Sequence, residues 1–148
     1  MTDHYHLQRF VDAQKTIYAQ VLDELRDGEK RSHWMWFIFP QIQGLGKTET
    51  ARRYAISSLG EAKAYLSHPV LGPRLIECTQ LVIAVEGRSI HRILSSPDDL
   101  KFRSCLTLFA AASAATAEHK VFFDALDKYY GGEPDQLTCR EVGVPVRI

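Results

Sequence analysis

Residues 28–46 read GEKRSHWMWFIFPQIQGLG. Both tryptophans of the chain, Trp34 and Trp36, fall here, among Met35, Phe37, Ile38 and Phe39. So many large apolar side chains in so few positions form a core unit, because each buried aromatic removes a large area from water. The flanks are polar, with Lys30, Arg31 and His33 on one side and Gln41, Gln43 and two glycines on the other. They are expected at the margin of that core, where a pocket forms. Ser32 is placed to cap a short helix through Phe39, and Pro40 stops it. A strand is the competing reading, since aromatic residues also favour sheets. The helix is preferred, because no partner strand with clean alternation occurs elsewhere.

Upstream, Leu7, Phe10, Val11, Gln14, Ile17, Tyr18, Val21, Leu22 and Leu25 recur at spacings of three and four, predicting one amphipathic helix over 7–25 closed by Gly28. Downstream, residues 41–47 read as a glycine-punctuated loop, and Thr48 caps a segment through Ile56. Ser58 and Glu61 form a capping box for the helix EAKAYLS, which His68-Pro69 breaks. A longer helix starts near Gly72-Pro73 with Leu71, Leu75, Cys78, Val82 and Val85 as its stripe. Residues 89–94 make a helical turn. Ser96-Pro97-Asp98-Asp99 combines a capping residue, proline at the first helical position and early acids, starting an alanine-rich helix to about residue 115. Another helix covers 118–130, closed by Gly131-Gly132, and residues 134–142 add a last turn. The expectation is an all-α, compact multihelical bundle of about six to eight helices in one domain over 1–148, with flexible ends at about 1–5 and 143–148.

The totals narrow the function classes. The 148 residues suffice for one sizeable core. Eighteen basic residues balance eighteen acidic ones, so no general attraction to nucleic acid or an anionic membrane is expected. The three cysteines are widely spaced and lack CxxC pairing, which indicates reduced thiols and a soluble, cytoplasmic protein. The polar N-terminus reads as no signal peptide, and no apolar run is long enough to span a bilayer. No metal-ligand spacing is present and no cofactor is implied. Residues 44–48, GLGKT, imitate the end of a P-loop, yet that motif needs glycine where Gln41 stands, and a strand to feed it. No Gly-x-Ser-x-Gly elbow occurs, and Cys105 reads as a small core residue.

What remains is a concentration of aromatic, cationic and amide groups: Trp34, Trp36, Gln41, Arg52, Tyr54, Arg74 and Lys101. Together they suit stacking on a planar group and clamping an anion. His33 is the candidate proton carrier, weighed against a histidine hydrogen-bonded at the core edge. Asp98, Lys101, Ser104 and Thr107 recur every third residue, as a polar row that is either a solvated edge, an interhelical seam or a ligand-facing strip.

RSHWMWFIFPQIQGLG, RRYAISSLGEAKAYLSHPVLGPRL and DDLKFRSCLTLF resemble three signature blocks of the bacterial domain-of-unknown-function family eighteen-ten, whose members are sometimes called calpastatin. The resemblance implies a mainly α-helical domain and carries no activity or catalytic residue with it. A calpain inhibitor of the calpastatin kind is disordered when free, whereas this composition builds a core. A slighter likeness, in scattered aromatic, lysine and phenylalanine positions, is to the NADAR N-glycosidases, which handle ribosylated nucleotides and ADP-ribose adducts. Two functions are therefore expected in competition. One is binding of a small planar or phosphorylated ligand, of nucleotide or ADP-ribose type, beside the tryptophans. The other is a helical protein-interaction module without chemistry.

Overall fold

A computed structural model describes residues 3–114 and 116–143. The described residues form ten helices and no strand, so the all-α reading holds while the expected six to eight helices are too few. The first discrepancy lies in the predicted 7–25 helix, which is two: α1 (Gln8–Lys15) and α2 (Tyr18–Arg26). Its stripe breaks at Thr16-Ile17, where the Ile17 amide donates to the Gln14 carbonyl at 3.2 Å in a tightened turn. Two successive β-branched residues sit poorly in a helix interior. Gln14 itself is buried, donating from Nε2 to the Phe37 carbonyl at 2.7 Å and to the Tyr65 hydroxyl at 3.3 Å.

The tryptophan segment folds as one short turn, α3 (Met35–Ile38), with Trp34 at its N-cap. Ser32 does not cap it. Its backbone N–H and hydroxyl are instead committed to Glu24, at 3.0 and 2.6 Å. Glu24 is only 3% exposed, and its carboxylate also accepts from the Arg31 amide at 2.7 Å, Trp34 Nε1 at 2.9 Å and Gln20 Nε2 at 3.0 Å. Burial on its own raises the Glu24 carboxyl; hydrogen bonds from Ser32, Arg31, Trp34 and Gln20 outweigh it and hold the group at about 2.

Next come α4 (Glu49–Arg53), α5 (Leu59–Ser67), α6 (Leu71–Ala84), α7 (Ile90–Leu94), α8 (Asp98–Ala112), α9 (Lys120–Tyr130) and α10 (Gln136–Val142). Thr48, Ser58 and Ser89 cap α4, α5 and α7 as their positions indicate. The capping box is offset, however: Glu61 reaches back to Ser57, accepting from its amide at 2.8 Å, and pairs with Arg9 at 2.9 Å. Ser96 does not cap α8 either. Pro97 stands at the N-cap, and the first-turn donors use the Ser95 and Pro97 carbonyls.

The post of the bundle is α8. Nine of its fifteen residues are buried, including Phe102, Leu106 and Phe109, because α5, α7, α9 and α10 all pack on it. Helix α6 completes the layer against α2, α5 and α9. Its start lies so close to α5 that a Cβ at Gly72 would meet the Leu66 carbonyl oxygen at 2.1 Å. Of the ends expected to be flexible, residues 1–2 and 144–148 lie outside the described residues. Asp3 caps α1, its carboxylate accepting from the Leu7 and Gln8 amides at 2.8 and 3.0 Å. Among the described residues no helix is long and apolar enough to cross a membrane.

Two tests follow from this packing. Gly72→Ala forces backbone apart, and is expected to cost roughly 2–3 kcal/mol in a denaturant titration. For Glu24, the ordinary carboxyl value is 4.5 and the folded one about 2. Its contribution is therefore complete above the ordinary value and drains away as pH falls toward the folded one. Denaturant titrations taken at successively lower pH are expected to reveal about 3 kcal/mol of acid-labile stability from this group. Glu24→Gln lacks that component and is already destabilised at neutral pH by roughly 2–3 kcal/mol.

Candidate functional site

The chain leaves α3 past Pro40, makes an excursion, and returns at Ile56 to pair with Ile42. Ile42 and Ile56 form a parallel bridge, with the Gln43 amide on the Ile56 carbonyl and the Ile56 amide on the Gln41 carbonyl, both at 2.8 Å. Between these clasps lie the loop of residues 43–47 and α4. The loop rests directly on α4, since a Cβ at Gly46 would meet the Ala51 Cβ at 2.5 Å.

Against this clasped segment α3 and α8 leave a narrow crevice, lined by Trp36, Phe39, Gln41, Tyr54 and Lys101 among others. Its cavity volume is about 10 Å³, room for at most one water. It adjoins, through Gly46 and Ala55, an open groove of about 600 Å³ lined by Gln43, Gly44, Lys47, Arg52 and Glu141. Four of the residues singled out in the sequence, Trp36, Gln41, Tyr54 and Lys101, thus surround one crevice, and Arg52 lies in the neighbouring groove. Phe37 holds Tyr54 edge-on at 4.8 Å, and Phe10 supports it from behind at 5.8 Å.

Other residues are withdrawn. Trp34 is 1% exposed, with its indole N–H taken by Glu24, so it is part of the core and offers no face to a ligand. Arg74 lies elsewhere, over the Tyr18 ring at 4.5 Å and donating to Gln14 Oε1 at 3.2 Å. His33 is exposed and lines neither the crevice nor the groove.

Charge links the two tryptophans. Asp98 accepts Lys30 Nζ at 2.8 Å and lies 3.7 Å from Lys101 Nζ. Lys30 stands 5.0 Å over the Trp34 ring, and Lys101 5.0 Å over Trp36. The polar row on α8 therefore divides in function. Lys101 reaches the crevice with Asp98 beside it, whereas Ser104 and Thr107 are buried and donate to the carbonyls one turn back. Thr107 also accepts the Asp135 amide at 2.8 Å, docking the start of α10.

The chemistry on offer is binding rather than nucleophilic attack. Burial pushes the Cys78 thiol up to about 12 and the Cys105 thiol well above its ordinary value, so neither supplies a thiolate. Among the described residues no group of three or more His, Cys, Asp or Glu is arranged to hold a metal. Sequence reasoning missed Glu24 and Glu141. The first left a trace, an acid on the apolar stripe between Val21 and Leu25; the second left none.

A family profile described as a protein of unknown function, DUF1810, matches residues 4–142. The chain is also similar to a solved structure, the conserved hypothetical protein Rv1873 from Mycobacterium tuberculosis, at 54% identity and a TM-score of 0.91 over 97% of this chain and 100% of that one. The search of curated proteins finds no match, and neither similarity lends support to the expected likeness to NADAR N-glycosidases. The match spans the tryptophan segment, the clasped loop and every helix that walls the groove: the chain belongs to the DUF1810 family.

Proposed function

We propose that the chain binds a small phosphorylated ligand with a planar group, of nucleotide or ADP-ribose type, in the groove beside Trp36. The observation that carries this reading is the pairing pattern of the cations. Arg9, Lys30 and Lys101 nearby are each matched to an acid. Lys47 and Arg52 line the groove and have no acid within ion-pair distance among the described residues. Two exposed, uncommitted cations on one wall suit a phosphate. The crevice is too small for a ring, so the planar group rests at its mouth on the exposed part of Trp36. The competing reading, a helical protein-interaction module, draws on Leu100 and Leu137, which are 59% and 55% exposed.

Fluorescence and thermal-shift titrations with AMP, ADP-ribose and inorganic phosphate test the proposal. Saturable quenching by AMP is expected, lost in Trp36→Phe, because Trp34 is sealed from solvent. At a hundredfold excess over Kd the melting temperature should rise by about 5–10 °C, and this rise should vanish in the Lys47→Ala, Arg52→Ala double variant. No shift with any of the three ligands rules the reading out.

A further inference from the structure

The groove is lined by one carboxylate, that of the exposed Glu141, as well as two cations, and the helix that carries it is fixed in place. Helix α10 is anchored at its start, where Asp135 donates its amide to Thr107 on α8 and its carboxylate accepts from the Thr138 amide at 3.0 Å. Thr138 is fully buried. The helix carries Glu141 back over the loop, to 3.8–3.9 Å from where a side chain at Gly44 would begin. Among the described residues the Glu141 carboxylate accepts no hydrogen bond, and neither Lys47 nor Arg52 comes within ion-pair distance of it. The backbone N–H groups of Gly44, Leu45, Gly46 and Lys47 likewise have no acceptor among the described residues.

This combination does not fit a bare anion. A carboxylate facing the same space repels phosphate, and a site evolved for phosphate alone gains nothing from it. It fits a ligand with an anion at one end and hydrogen-bond donors at the other. Donors and cations on the loop and α4 face the first, and an acceptor-only group on α10 faces the second. Resting on the anion-binding reading above, we propose that Glu141 accepts hydrogen bonds from the hydroxyl groups of a sugar phosphate whose phosphate is held by Lys47 and Arg52. Glu141 is then the residue that distinguishes a sugar phosphate from free phosphate.

Calorimetric titration of the full chain with ribose 5-phosphate and with inorganic phosphate separates the possibilities. The sugar phosphate is expected to bind about tenfold more tightly than phosphate, the worth of one charge-assisted hydrogen bond. In Glu141→Ala that advantage should disappear while phosphate binds as well as before or better, an opposite response of two ligands that loss of folding does not produce. Arg52→Ala should weaken both. If ribose 5-phosphate binds no better than phosphate, or Glu141→Ala weakens both equally, the role given to Glu141 is wrong while anion binding stands. If neither ligand binds the wild-type chain, the role given to Glu141 falls, and the anion-binding reading falls with it only if AMP and ADP-ribose also fail to bind.

Discussion

A carboxylate sealed inside a protein is costly unless every lone pair is answered, and Glu24 is answered without any cation. Its partners are two backbone amides, a hydroxyl, an indole N–H and a carboxamide, all neutral. The charge is solvated by dipoles belonging to the very segment it organises. Because residues 31–34 must present those donors together, the chain entering α3 has one available path. That path drops Trp34 inward and leaves Trp36 facing outward. Remove the charge and the donors of four residues lose their common acceptor, so the local fold and the site share one dependency.

Electrostatics then separates what is structural from what is available. Asp98 is shared between Lys30 and Lys101, and each lysine also covers an indole. Lys30 is nearly buried, so its pairing belongs to the stability of the core. Lys101 reaches the crevice but arrives with part of its charge already committed. Lys47 and Arg52, which carry no such commitment among the described residues, sit on the clasped segment, one layer further out. The result is a graded boundary, from a charge held by dipoles, through a shared ion pair, to open cations at solvent.

Most helices were legible because their signals are local. Thr48, Ser58 and Ser89 are caps by residue type and position, and Gly131 closes α9 in a left-handed conformation. The failures at Ser32 and Ser96 have a common origin: a capping residue is only an offer, and the serine hydroxyl went to Glu24 in one case while proline geometry set the helix start in the other. The split at Thr16-Ile17 hides in the pattern because a short tightened turn barely shifts the apolar spacing. Trp34 and Trp36 look equivalent in the sequence, yet residues two apart on a helical turn point about 200° from each other, and only one can face the crevice. Glu141 lies far from Arg52 along the chain, and no periodicity joins them; their meeting depends on how α10 docks on Thr107.

The clasp at Ile42 and Ile56 gives the segment between them a degree of independence. Its neck is fastened by two backbone hydrogen bonds and two buried isoleucines, and its returning end by Tyr54 on Phe10 and Phe37 and by Arg9 on the Arg53 and Ala55 carbonyls. Residues 44–50 make no hydrogen bond to the bundle among the described residues. Such an excursion behaves as an exchangeable cassette. A new charge pattern at its tip touches no hydrogen bond of the helical frame, so the surface it presents can change without a change in how the helices pack.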